Sequence, residues 1–170
     1  MSASSTQAKS LTVNGRPDAK SASKARLRLW LRILKVSRGM EAELRERLRV
    51  EFDTTLPRFD VLAALFRAEK GLKMSELSGV LRVSNGNVTG IVDRLVTDGL
   101  IVRVPVEGDR RAMIVRLTAR GRSHFTKLAT AHEGWVNDLL LSIDAGAAGE
   151  LTAQLGNIGQ RLQDEKGVGA

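Results

Sequence analysis

Seven positions between residues 85 and 94 carry polar or small residues, as a helix face that reads base pairs requires. An asparagine can bond adenine through two hydrogen bonds, an arginine can bond guanine in the same way, and a threonine methyl group can contact the thymine methyl. The seven are Asn85, Gly86, Asn87, Thr89, Gly90, Asp93 and Arg94. Each glycine costs a helix roughly 1 kcal/mol relative to alanine, which favours close approach of another molecule. A solvated polar helix face has a similar composition, so the choice depends on the neighbouring elements.

The flanking pattern predicts that a helix presents these side chains. Its apolar face recurs at spacings of three and four residues: Val88, Ile91, Val92, Leu95 and Val96. Ser84 is placed to cap this helix, and Asp98-Gly99 ends it. In a helix-turn-helix the second helix enters the major groove with its N-terminal residues leading. The side chains expected to contact the major groove are Ser84, Asn85, Asn87, Thr89 and Arg94.

A shorter helix precedes, with Ser75 as its expected N-cap and a turn at Arg82-Val83. After the second helix, β-branched residues from Leu100 to Val106 and a second run from Met113 to Leu117 predict a two-stranded hairpin. Its charged tip holds Asp109, Arg110 and Arg111. Two guanidinium groups on a protruding loop suit a narrow minor groove or its phosphates. A hairpin directly after a helix-turn-helix is a wing.

Longer helices flank this unit. Leucines and Trp30 at helical spacing predict a helix from Ala25 to about Phe52, and Thr118 is placed to cap another that extends to about Ser142. A last helix after Asp144 has one apolar stripe: Leu151, Leu155, Ile158 and Leu162. A small domain alone does not need such stripes, so we expect them to form a dimer interface. The predicted fold is mainly α with a small β-hairpin wing. It comprises a disordered basic tail (1–22), a helical dimerisation region (23–52 and 119–166) and a winged helix-turn-helix (53–118).

Composition narrows the functional classes. The net charge is +8, and segment 70–122 alone carries +5, which favours a polyanionic partner. Without cysteine, the chain has no disulfide, thiolate nucleophile or zinc finger. The N-terminus has no apolar signal segment and no run reaches the roughly 20 apolar residues that span a bilayer, so we expect a cytoplasmic protein with no membrane partner. The two histidines, His124 and His132, fall inside a predicted helix, and no catalytic or metal-binding spacing accompanies them, so we expect no enzyme and no cofactor.

Two stretches together resemble the MarR family of bacterial regulators. They are V-D-R-L-V-T-D-G-L at 92–100 and D-R-R at 109–111 followed by L-T-A-R-G at 117–121. The resemblance covers about residues 25–165. It implies a homodimer with two winged domains on a pseudo-palindromic double-stranded DNA operator. It also implies that Arg111 enters the minor groove and that Asp109 either orients it or pairs with a neighbouring arginine.

A narrower resemblance concerns T-T-L-P-R-F-D at 54–60 and V-S-N-G-N-V-T-G at 83–90, which are similar to repressors of hydroxycinnamate (coumarate or ferulate) catabolism. It implies release from the operator by an aryl-CoA thioester such as p-coumaroyl-CoA or feruloyl-CoA. Arginines can bind the CoA phosphates bidentately, and an apolar pocket can take the aryl group. The residues expected to bind the effector are Arg26, Trp30, Arg32, Arg38, Arg58, Phe59 and Trp135. Solvated arginines and packed aromatics are the alternative interpretation.

Two further alternatives remain from the sequence. An architectural DNA-binding protein without an effector shares every DNA-binding feature described above. The basic, amphipathic first helix would also suit a membrane surface, although its leucine stripe is better explained by a dimer core.

Overall fold

The computed structural model describes residues 19–106 and 109–167. Within them the chain forms six helices and three strands. In order they are α1 (Ala19–Phe52), α2 (Leu56–Arg67), β1 (Leu72–Lys73), α3 (Met74–Leu81), α4 (Asn85–Thr97), β2 (Ile101–Val106), β3 (Asp109–Leu117), α5 (Ala119–Leu139) and α6 (Ala145–Gly167). The chain divides into two compact units, Met1–Glu41 and Ala42–Ala170. In the described ranges, no helix combines the length and apolar character needed to cross a membrane.

The second unit contains the hydrophobic core. Its fully buried side chains include Leu48 of α1, Leu62 of α2, Leu77 of α3 and Leu128 of α5. Helix α4 contributes Val88, Val92 and Leu95, each with no exposed surface. These three belong to the apolar stripe predicted from sequence, and full burial of such a side chain is worth roughly 1.5–3 kcal/mol. The stripe therefore fixes which face of α4 remains outside.

The strands form a three-stranded antiparallel sheet in the order β1-β3-β2. In the hairpin Ile101 pairs with Leu117, and an irregularity in register lies between Pro105 and Val106. The predicted hairpin is confirmed, but β1 was not predicted. It pairs Leu72 with Val115 and is only two residues long, which is too short to show a period in sequence.

The start of α5 is fixed against the hairpin by a small set of contacts. Thr118 Oγ1 accepts a hydrogen bond from Gly121 N at 2.9 Å and donates to the Gly99 carbonyl at 2.8 Å. A Cβ at Gly121 would overlap the Leu100 carbonyl oxygen and lie 2.8 Å from its carbonyl carbon. Only glycine fits there. Thr118 and Gly121, three residues apart, therefore join the start of α5 to the sheet.

Several predicted boundaries need correction. Helix α1 begins at Ala19, inside the expected tail 1–22, because alanine and lysine are good helix formers; residues 1–18 lie outside the described residues. Ser75 is not the N-cap of α3, because the helix follows β1 directly and its N-cap is Lys73. The Lys73 backbone N–H donates to the Glu76 carboxylate at 2.7 Å. Helix α5 ends at Leu139 rather than at about Ser142.

Candidate nucleic-acid interface

Helices α3 and α4 form a helix-turn-helix. Arg82, the C-cap of α3, is in the left-handed conformation at φ 55°, and the Val83 N–H donates to the Ser78 carbonyl at 3.2 Å. Ser84 occupies the predicted N-cap of α4, but its hydroxyl makes no capping hydrogen bond. Ser84 is exposed, so that hydroxyl remains able to bond another molecule at the leading end of α4.

The outer face of α4 is open. A Cβ added at Gly86 or Gly90 would meet nothing within 4 Å, so packing inside the protein does not require glycine at either position. Together with the start of α2, this face borders a groove of about 360 Å³. Its lining residues are Thr55, Arg58, Gly86, Asn87, Gly90, Ile91 and Arg94. Thr55 was not predicted as part of this surface, because it lies 30 residues before the helix that it faces.

The polar side chains of α4 differ in what they can still bond. The Ser78 hydroxyl lies within bonding distance of Asn85 Oδ1 and of the Ser75 carbonyl, and its single proton can serve only one of them at a time. The Thr89 hydroxyl donates to the Asn85 carbonyl at 2.8 Å, so its proton is already used. Among the described residues, Asn87 and Arg94 have no side-chain hydrogen bond or ion pair. Asn87 and Arg94 are therefore available in full, and Asn85 keeps both N–H donors of its amide while its Oδ1 lies next to Ser78.

Two ion pairs connect α4 to its neighbours. Asp93 bonds Arg103 of β2 at 2.6 Å, which ties the middle of α4 to the hairpin. Asp98, the C-cap of α4, pairs with Arg58 Nη2 of α2. Asp93 is thus held by an ion pair within the protein itself. Neither Arg58 nor Arg103 could be paired with its aspartate from sequence alone.

Asp109, Arg110 and Arg111 lie in β3, directly after the tip, and not in the hairpin loop as predicted. Asp109 pairs with Val106 across the ladder. The rest of the predicted turn, residues 107 and 108, lies outside the described residues. Pairing with β2 extends β3 back to Asp109, although residues 109–112 include no β-branched side chain that would indicate a strand in the sequence.

Apart from Arg58, which pairs with Asp98, the predicted effector residues fall into two groups. In the first unit, Arg26, Trp30, Arg32 and Arg38 are all exposed, and Arg32 borders a shallow cavity of about 320 Å³ with Arg28, Leu31 and Lys35. In the second unit, Phe59 and Trp135 are buried in the core. Phe59 stacks on His132 at 4.5 Å between ring centroids, and Trp135 meets Phe52 edge-on at 6.0 Å. Burial lowers the pKa of His132, although the charge of Asp60 raises it slightly.

Comparison with known proteins identifies the relatives of this chain. Residues 52–112 match the model of the MarR family. A structure of a MarR family transcriptional regulator from Silicibacter pomeroyi is 33% identical, covers 83% of this chain and 97% of its own, and superposes with a TM-score of 0.68. The chain belongs to the MarR family. The likeness to this structure also confirms the predicted fold class. Strand β1 is one more strand than the predicted hairpin contains.

Other MarR relatives give more detail. A mutant of MarR from Escherichia coli, complexed with operator DNA, is 26% identical with a TM-score of 0.66, covering 84% of this chain and 99% of its own. The transcriptional regulator PecS of Dickeya dadantii is 30% identical over 64% of this chain and 66% of its own length. The transcriptional activatory protein BadR of Rhodopseudomonas palustris is 38% identical over 44% of each chain. The chain thus matches between about half and two thirds of the length of these two curated relatives.

Proposed function

We propose that this MarR family member is a transcriptional repressor that binds a pseudo-palindromic operator through α4 and the wing. The observation that carries the proposal is the outer face of α4, where Asn87 and Arg94 keep all their donors and two glycines leave the backbone open. Ser84, Asn85 and Thr89 would complete the contacts in the major groove, and Arg110 and Arg111 those of the wing. The relative from Escherichia coli that was solved with operator DNA supports a role in DNA binding.

The repressor would act as a homodimer. Leu151, Leu155, Ile158 and Leu162 are each 45–57% exposed on one face of α6. Beside them lies an apolar cavity of about 720 Å³ between the end of α5 and α6. A soluble monomer rarely exposes such a continuous apolar stripe, and a second copy would cover it. Two copies would present two α4 helices to successive major grooves, as a pseudo-palindrome requires.

The effector would be an aryl-CoA thioester such as p-coumaroyl-CoA or feruloyl-CoA, and the controlled genes those of aromatic-acid catabolism. Three exposed cations at helical spacing, Arg28, Arg32 and Lys35, line one shallow cavity and suit the CoA phosphates. Trp30 is 54% exposed and is available to an aryl group, whereas Phe59 and Trp135 are core residues of the protomer. Release would require the effector to bind the DNA-free state more tightly than the DNA-bound state.

The test measures operator binding by fluorescence anisotropy. Duplex DNA from upstream of the gene would be compared with a scrambled duplex at about 150 mM salt, a concentration at which specific binders prefer their site by about three decades or more. We expect that preference, and we expect p-coumaroyl-CoA or feruloyl-CoA to reduce it while free CoA does not. Equal, weak binding to both duplexes would instead favour an architectural protein. Unchanged operator affinity at saturating aryl-CoA would refute the effector.

A further inference from the structure

Ser78 is a buried polar residue at the junction of the two helices of the helix-turn-helix. It lies on α3 and is only 8% exposed. Its backbone carbonyl accepts the Val83 N–H at 3.2 Å, and its hydroxyl lies within bonding distance of Asn85 Oδ1. One buried serine therefore contacts both the turn and the first residue of α4.

The contact between Ser78 and Asn85 determines where the hydroxyl proton lies. Both facing atoms are oxygens and Oδ1 carries no hydrogen, so their close approach is favourable only when the serine is the donor. The competing acceptor, the Ser75 carbonyl at 3.0 Å, lies inside α3. In a regular helix such a carbonyl already accepts the N–H four residues on, so it does not need the hydroxyl. The Ser78 hydroxyl therefore donates to Asn85 Oδ1.

This hydrogen bond determines which part of the Asn85 amide faces outward. Asn85 is exposed at the start of α4, the end that leads into the major groove in a helix-turn-helix. With Oδ1 directed at a buried side chain, the Nδ2 group lies on the other side of the amide and keeps both of its donors. An asparagine pairs bidentately with adenine only when its oxygen and its nitrogen face the base edge together. Asn85 held in this way offers donors alone.

The base that suits a side chain with donors alone is guanine. In the major groove guanine presents two acceptors, O6 and N7, whereas adenine presents one acceptor and one donor, and cytosine presents a donor. Asn87 is not restricted in the same way, because its side chain has no hydrogen bond in the part of the chain that the structure describes. Two asparagines that look equivalent in sequence therefore differ in the bases that they suit.

We propose that Ser78 is a positioning residue for base recognition: it holds Asn85 with its donors outward, so that Asn85 reads guanine and not adenine. The inference rests on the operator binding proposed above and names the base that one side chain selects. Ser78 is itself buried, so it acts on the choice of base through Asn85.

The experiment has one part without DNA and one part with DNA, both on the full chain. In the first, NMR relaxation gives the order parameter of the Asn85 side-chain amide, whose signal is assigned by its disappearance in Asn85→Asp. In the second, fluorescence anisotropy measures binding to operator duplexes in which each base pair is exchanged in turn. Ser78→Ala removes the hydroxyl. Ser75→Ala is the matched control on α3, because the exposed Ser75 hydroxyl makes no hydrogen bond within the described residues.

We expect the order parameter of the Asn85 amide to be near that of rigid backbone, roughly 0.85, in the native chain and in Ser75→Ala. It should fall below roughly 0.6 in Ser78→Ala, because the amide is then free to rotate. At one base pair of each half-site the native chain should prefer guanine to adenine roughly tenfold. Ser78→Ala should lose most of that preference, and Ser75→Ala should keep it.

Asn85→Asp tests the outward donors without any change in α3. Aspartate keeps an acceptor for Ser78 and replaces the amide donors by a second acceptor. The preference at the same base pair should therefore move to cytosine, whose N4 group is a donor. This result does not depend on how well Ser78→Ala folds.

Three results would overturn the proposal. A rigid Asn85 amide in Ser78→Ala, or equal mobility in both serine variants, would show that Ser78 does not position it. A native preference for adenine or cytosine at the base pair that responds to Asn85→Asp would show that Oδ1 faces the base. A uniform loss of operator affinity in Ser78→Ala, with unchanged preference among bases, would assign Ser78 a structural role alone.

Failure of the proposed function gives a different result. If the native chain prefers no duplex, operator binding fails and the choice of guanine fails with it, whereas the relaxation data still show whether Ser78 holds Asn85. If the operator is bound specifically and any of the three results above is found, only this inference fails.

Discussion

Replacement of Gly121 by alanine tests whether the start of α5 positions the wing. The new Cβ would lie 2.8 Å from the Leu100 carbonyl carbon and 3.2 Å from its Cα, and would overlap the carbonyl oxygen. Normal van der Waals contact begins near 3.5 Å, so backbone on both sides would have to separate. Thr118 would then lose one or both of its bonds, to Gly121 N and to the Gly99 carbonyl.

Overpacking in a core costs about 1–3 kcal/mol, and loss of a hydrogen bond adds roughly 1 kcal/mol. We therefore expect Gly121→Ala to lower the free energy of unfolding by about 3 kcal/mol. For a chain of this size that corresponds to a decrease in Tm of about 6–12 °C. Because β2 begins at Ile101, next to the displaced Leu100, the variant should also bind the operator more weakly at temperatures where it remains folded.

The assay is thermal unfolding followed by circular dichroism. Operator anisotropy is measured at 10–15 °C below the Tm of the variant, a margin of about the size of the shift expected above. Gly134→Ala, on the same helix, is the control, because a Cβ there meets nothing within 4 Å. Alanine at that position should raise stability by up to about 1 kcal/mol. A Tm of Gly121→Ala within 2 °C of the native protein, less than about 1 kcal/mol, would refute the steric argument.

Three other predictions concern the interface and the histidines. Arg94→Ala should weaken operator binding by about 1–3 kcal/mol and relax preference at one base pair, whereas Arg161→Ala on α6 should leave anisotropy titrations unchanged; equal effects would contradict a base contact. Gly90→Ala should raise the Tm, since nothing opposes a Cβ there, yet should weaken operator binding; a gain in both would exclude close approach at this position. Burial lowers the pKa of His124 and of His132. Below the unfolded value of about 6.5 the unfolded chain therefore binds more protons than the folded chain, so the free energy of unfolding decreases as the pH is lowered. Tm measured from pH 7.5 to pH 5.5 (about one pH unit on either side of that value) should show this decrease, and His132→Phe should make the decrease in Tm smaller. The same dependence of Tm on pH in that variant would show that other groups cause it.

The elements with strong periodicity were predictable from sequence, and those fixed by distant contacts were not. Helix α4 has the predicted cap position at Ser84 and ends at Thr97, because its apolar stripe repeats over nine residues. Strand β1 escaped prediction because it exists only through pairing with β3, about 40 residues later. Phe59 was expected at an effector site, but a sequence does not distinguish an aromatic residue beside a ligand from one that stacks on His132.

The candidate site shows the same limit. The side chains predicted to read bases lie together on one helix, so their spacing alone identified the exposed face of α4. The pairing of Arg58 with Asp98 joins residues 40 positions apart and that of Arg103 with Asp93 joins helix to strand, and neither has a periodic signal. These contacts determine how α4 is held, and they required the structure.

The two ion pairs also bear on how firmly α4 is held in one orientation. The inner face of α4 is fully buried, but its orientation against α2 and β2 also depends on Arg58–Asp98 and Arg103–Asp93, in which the partners are 24–54% exposed. Exposed pairs of this kind contribute about 0–1 kcal/mol each. Loss of one therefore does not unfold the domain, yet a change of about 1 kcal/mol shifts a two-state equilibrium roughly fivefold. For that reason we expect Asp98→Asn to lower operator affinity several-fold without a matching decrease in Tm, because the variant loses the pair between α4 and α2 but keeps the buried face of α4. Parallel losses of both would show that Asp98 serves stability alone.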